Sequence, residues 1–154
     1  MRLLAPTLLG GFVAGALDIA YACIAYFAMR DVPPIRIFQS IAAGLLGGEA
    51  ARDGGLNTAL LGGALHFGMT TAMAGVFVLA ARGLPILVRR PVLFGLLYGV
   101  GIFFVMNYVV VPNSALHGKP PEQPFYAMGI AIHALGVGLP IALIAAHFQK
   151  NSRG

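Results

Sequence analysis

A chain of 154 residues with 58 % apolar side chains, 10 % charged ones and a mean hydropathy of +0.84 cannot clothe a water-facing surface, since soluble domains carry about 25 % charged residues. The composition excludes an ordinary soluble domain and indicates a single integral membrane domain lying in or against the lipid bilayer. Its net charge of +5 comes from arginines that flank apolar runs instead of clustering, which points to membrane topology and anionic lipid, not to nucleic acid.

Residues 3–29 form the first predicted span. Arg2 followed by an apolar run, with Ala20, Ala22 and Cys23 further on, has the outline of a signal peptide. Asp18 interrupts that outline, Tyr21 is bulky beside the supposed cleavage point, and the run is long enough to cross a bilayer. An uncleaved transmembrane helix is therefore expected. Gly11, Ala14, Gly15, Asp18, Ala22 and Ala25 recur at three- and four-residue steps. Small residues at that spacing let another helix come close, which turns Asp18 toward protein and away from lipid. Arg30 and Asp31 mark the membrane surface, and Pro33-Pro34 stop the helix. Cys23 is the lone cysteine, so no intramolecular disulfide or thiolate metal site is expected.

Residues 35–51 are too short to span. Ile37, Phe38, Ile41 and Leu45 share one helical face, while Arg36, Gln39, Ser40, Gly44 and Gly47 share the other. That pattern predicts a helix lying in the membrane interface, with a re-entrant half-helix as the alternative. Arg52 to Gly55 is read as a polar turn. Residues 55–81, the second span, carry no formal charge and hold His66 near their middle. Arg82, Arg89 and Arg90 then bracket a short loop containing Pro85. Residues 91–111 are the third span, with Gly95 and Gly99 in a GxxxG arrangement and Asn107 toward the far end. Proline-rich residues 112–124 are a loop, residues 126–146 are the fourth span, and His147 leads into a polar tail. The fold class expected is all-α: a four-helix transmembrane bundle with one short interfacial helix between spans one and two.

Four spans place both termini on one side. That side collects Arg2, Arg82, Arg89, Arg90, Lys150 and Arg153 without an acid, whereas the other side balances Arg30, Arg36, Arg52 and Lys119 against Asp31, Glu49, Asp53 and Glu122. The positive-inside rule then assigns both termini to the cytoplasm.

Depth brings the polar residues together. Counted from the surface that carries Asp31 and Pro112, at ~1.5 Å per residue, Asp18 and His66 lie about 16 Å deep, His133 about 14 Å and Asn107 about 7 Å. Both histidines sit on faces of small residues, His66 with Gly62, Gly63 and Thr70, His133 with Gly129, Gly136 and Pro140. A charge at the bilayer centre costs at least ~2.5–3.5 kcal/mol, so these groups should face one another or a water-filled cavity. An Asp–His contact offsets part of that cost. Asp18, His66 and His133, with Asn107 as a shallower fourth, are the candidate ligand- or proton-binding residues. His117 and His147 are expected to be solvated.

Three functional readings follow. One is an intramembrane pocket that binds or transports a proton, a metal ion or a small molecule. The second is structural: neutral histidines act as interhelical glue, worth roughly 0.6 kcal/mol, and glycine-lined faces recruit a second copy or another membrane protein. The third is a b-type haem held by His66 and His133. The methionines read as space-filling. No serine or cysteine nucleophile has a plausible base and no phosphate loop is visible, so an enzyme is not favoured.

The run Gln39 to Gly47 (QSIAAGLLG), the Gly54-Gly55 pair, Leu61 to Phe67 (LGGALHF) and Asn107 to Pro112 (NYVVVP) resemble the YagU-like small bacterial inner-membrane proteins. The resemblance covers residues 36–112. It implies a bacterial inner-membrane location and span count, and lends no activity, cofactor or catalytic residue.

Overall fold

A computed structural model describes residues 3–151. Helix α1 covers Leu4–Arg30, α2 Pro34–Leu46, α3 Gly48–Asp53, α4 Gly55–Gly83 and α5 Ile86–Arg89. Helix α6 covers Pro91–Val105 and continues as a π-helical segment over Met106–Val110. Helix α7, Phe125–Ile132, passes through a second π segment, His133–Gly138, into α8, Leu139–Asn151. Four continuous helical stretches are long and apolar enough to cross a membrane: Leu4–Arg30, Gly55–Gly83, Pro91–Val110 and Phe125–Lys150. There is no strand among the described residues.

Local chemistry explains the breaks. At the end of α1, Asp31 turns left-handed at φ 53°, its N–H donates to Phe27 O and the Val32 N–H reaches back to Tyr26 O. Such a left-handed cap satisfies carbonyls the helix would otherwise orphan. Proline then opens α2, at a position whose missing N–H costs nothing. The single helix expected over 35–51 is broken at Gly47, whose φ of 83° and ψ of 161° suit a residue without a side chain. Gln39, expected on a water-facing side, is 4 % exposed instead. Its amide donates to Gly55 O at 2.9 Å and Arg52 O at 3.3 Å, while Arg36 holds its carbonyl end at 2.8 Å. Gln39 thus satisfies backbone at the α3–α4 junction.

The exterior and interior are inverted relative to a soluble bundle. Large apolar side chains such as Leu8, Phe12, Leu60 and Leu97 stay exposed, whereas the core is built around Ala14, Ala74, Phe77, Val78, Val137, Ile141 and Ala142. That arrangement suits lipid, where no hydrophobic gain separates inside from outside and close backbone approach drives association. Helix α1 packs on α4 and α8; α6 packs on α8 and on the second π segment. The α6–π contact is backbone against backbone, since a Cβ on Gly99 would strike His133 O and one on Gly138 would strike Gly95 O. By contrast α4 and α6 meet only weakly, and the Tyr98 hydroxyl spans them by donating to Met73 O at 2.8 Å.

Both π segments lie where a side chain bonds the carbonyl four residues back. The Asn107 amide donates to Phe103 O at 2.9 Å, and His133 Nδ1–H donates to Gly129 O at 2.9 Å. A side-chain donor that shares a helix carbonyl loosens the regular ladder and favours a π bulge.

Two of the three glycines of α6, Gly99 and Gly101, differ in surroundings and give a direct stability test. Gly99→Ala should destabilise by about 1–3 kcal/mol, because the added methyl meets backbone that cannot yield. Gly101→Ala has open space around it and should be neutral or gain up to about 1 kcal/mol of helix propensity. Thermal unfolding of both in one lipid environment checks this, and equal shifts would contradict the backbone contact.

Candidate functional site

Three elements converge at mid-bundle. Asp18 comes from α1, His66 from α4, and His133 from the start of the π segment between α7 and α8. With Thr70 they form the polar lining of a cavity of about 50 Å³, closed on its other sides by Met69, Met73, Ile102, Met106 and Val137. Gly15, one turn before Asp18, makes the convergence possible. A Cβ there would sit 2.7 Å from Thr70 Oγ1 and 2.9 Å from the Phe67 ring, so only glycine lets α1 lie this close to α4. The same approach brings the Gly15 carbonyl within 2.9 Å of His66 Nε2.

The hydrogen bonds fix the histidine chemistry. A carbonyl oxygen can only accept, so the ring nitrogen facing it must carry the proton. His66, 6 % exposed, therefore donates through Nε2–H to Gly15 O, and its neutral form leaves Nδ1 as an acceptor. His133 donates through Nδ1–H to Gly129 O, and its neutral form leaves Nε2 as an acceptor. The Thr70 hydroxyl donates to Phe67 O at 3.2 Å. Every polar hydrogen on the cavity lining is thus engaged by backbone, and what the lining offers a guest is acceptors, with the Asp18 carboxylate foremost.

Asp18 Oδ1 lies 3.9 Å from His133 Nδ1, with both side chains 19 % exposed. That separation is beyond direct hydrogen bonding. A water molecule needs roughly 10–15 Å³ of cavity and two or more polar partners, and the cavity of about 50 Å³ offers both. The cavity beside the pair is therefore of a size to hold water. Phe103, buried, sets its ring edge-on to His133 at 5.5 Å and shields that side.

Asn107 does not join the group. Its amide is turned to Phe103 O in its own helix, and it is not among the residues lining the cavity. It serves the first π segment instead. His117 and His147 are exposed, outside the site. Sequence reasoning passed over Met69, Thr70 and Met73 as site residues, although they stand three, four and seven positions after His66 and so share its helical face. Another feature without a sequence signal is the Tyr21 hydroxyl, three residues after Asp18, which is buried with no hydrogen-bond partner.

The site is a poor fit for the larger guests. Among the described residues no three of His, Cys, Asp and Glu gather closely enough to hold a metal ion. A haem between His66 and His133 would need a pocket of the ~300–1,000 Å³ typical of cofactor sites, and His66 Nε2 is already bonded to Gly15 O. Comparison with protein-family models, curated proteins and solved structures finds no match to this chain.

Proposed function

We propose that this is a four-span protein of the bacterial inner membrane, with both termini cytoplasmic, whose Asp18–His66–His133 cavity binds a proton and passes it between carboxylate and imidazole. The observation that carries the reading is the convergence of Asp18, His66 and His133 on one cavity of about 50 Å³ at mid-helix, with Asp18 and His133 side by side at 3.9 Å. Ionisable groups at such depth are costly and are characteristically tied to proton or ion handling.

Moving the Nε2 proton of a charged His133 to Asp18, while Nδ1–H stays on Gly129 O, turns an ion pair into two neutral groups. That step leaves the net charge of the cavity constant, whereas loss of the proton leaves the Asp18 charge uncompensated and in need of a guest. What changes is the dipole: the ion pair favours water in the cavity and the neutral pair releases it. His66, anchored to Gly15 O, offers the second basic nitrogen from the α4 side. Coupling of protonation to hydration is the switch proposed.

Membrane placement draws on the four long apolar stretches and their large, outward apolar side chains. Orientation draws on the cations Arg82, Arg89, Arg90 and Lys150 at one end of the chain's spans. Arg2 and Arg153, which add to that asymmetry, lie outside the described residues, as does Ser152. The likeness of residues 36–112 to the YagU-like proteins is in keeping with an inner-membrane location.

A structural reading has one observation in its favour, the His66–Gly15 bond that ties α4 to α1 and belongs to a class worth about 0.6 kcal/mol and at most about 1.7. Its assembly version has less. Gly15, Gly62, Gly95 and Gly99, which would have recruited a partner, face helices of the same chain.

Infrared titration of the protein in lipid tests the proton reading. A carboxyl band that responds to pH is expected, should disappear in Asp18→Asn and should move in His133→Ala. The absence of any Asp18-dependent response to pH would remove the proton function. For orientation, single cysteines at Ser114 and Ser152 are exposed to an impermeant thiol reagent in intact cells. Labelling at Ser114 alone is expected, and labelling at Ser152 alone would reverse the topology.

A further inference from the structure

We infer that the cleft between α4 and α6 is a binding site for lipid-soluble ammonium cations, an apolar body carrying one N–H donor head that reaches the Asp18 carboxylate. The inference deepens the proton-handling reading and rests on it in one respect, that Asp18 is the exchanging group.

Where α4 and α6 diverge, they enclose a cleft of about 650 Å³. Its volume falls in the ~300–1,000 Å³ range of small-molecule sites. The lining is apolar, including Val76, Leu97 and Val105, and its one side-chain hydroxyl, on Tyr98, is already engaged by Met73 O. Met69, Met73, Ile102 and Met106 line both this cleft and the polar cavity, so they form the wall between the two. Three of those four are methionines, unbranched side chains that re-pack around a guest at little cost. The cleft is thus an apolar chamber that abuts the polar cavity across side chains able to re-pack around a guest.

The polar cavity selects the head group. The N–H and O–H groups of His66, His133 and Thr70 are held by Gly15, Gly129 and Phe67 carbonyls, which leaves a carboxylate and two imine nitrogens. A carbonyl, ether or anionic head would bring acceptor against acceptor and leave both unpaired, a costly arrangement away from water. A protonated amine supplies donors and compensates the Asp18 charge. The groups facing Asp18 are His133 from the π segment and His66 from α4, with Tyr21 on its own helix. None of these is a permanent cation that would repel an ammonium head. Cation and proton therefore compete for one carboxylate, which makes the site an exchanger.

The test is equilibrium dialysis of the full chain in lipid nanodiscs against labelled 1-aminoadamantane, with 1-adamantanol as the neutral isostere and empty discs to subtract partitioning. Saturable amine binding is expected. The alcohol, Asp18→Asn and Gly101→Phe should each bind about tenfold more weakly or worse. A Cβ on Gly101 meets nothing within 4 Å, so its phenylalanine fills the cleft without straining the fold and keeps the test valid if Asp18→Asn fails to assemble. Equal uptake of amine and alcohol would overturn the inference and leave a groove for lipid tails. Unchanged binding in folded Asp18→Asn or in Gly101→Phe would overturn it equally. An amine that does not bind, while the Asp18-dependent infrared band still responds to pH, sinks this inference alone; an amine that binds without any such band sinks the proton function and keeps the cation site.

Discussion

The bond from His66 Nε2–H to the Gly15 carbonyl is the contact on which the rest depends. It exists only because α1 carries no side chain at Gly15, where a Cβ would run into Thr70 and Phe67. Once made, it fixes which nitrogen of His66 bears the proton, clamps α4 to α1, and sets Thr70 and Met69 beside Asp18. His133 repeats the logic inside its own helix through Gly129 O. Two histidines whose protons are held by backbone cannot satisfy the Asp18 carboxylate, and the carboxylate is left for a guest.

The packing follows from the solvent. Burial of leucine brings no gain in lipid, and an interior rich in alanine and glycine around Phe77, Val78 and Ile141, with many large apolar side chains outward, suits that setting. Backbone contact of α6 with the second π segment, through Gly99 and Gly138, draws α6 to the α7–α8 side. Helix α4 is drawn the other way by α1 and α2, the latter crossing at Gly62 against Phe38. The cleft between α4 and α6 is the geometric result of those two opposed attachments. It abuts the polar cavity across Met69, Met73, Ile102 and Met106, which line both.

Much of this was legible in the residues. Four apolar runs, the small-residue stripe holding Asp18 and a count of ~1.5 Å per residue suffice to put Asp18, His66 and His133 at one level. The same count cannot see azimuth, and the Asn107 amide turns back onto Phe103 O, off the cavity lining. Periodicity also reads 35–51 as one helix, since a break at Gly47 depends on a single backbone conformation that leaves no apolar pattern. Gln39 looks like a surface residue until the bare carbonyls of Arg52 and Gly55 come within its reach. The methionines look like filler because their role depends on α4 and α6 being held apart, which no local signal encodes.

Solid-state nitrogen-15 spectra of the histidine side chains, in lipid and at a pH where both are neutral, test the central claim most directly. The hydrogen bonds to Gly15 O and Gly129 O require opposite tautomers: a proton on Nε2 of His66 and on Nδ1 of His133. Assignment by His66→Ala and His133→Ala should return that pair. The same tautomer at both positions would contradict the account, because a free N–H would then face the cavity and its acceptor-only character would be lost.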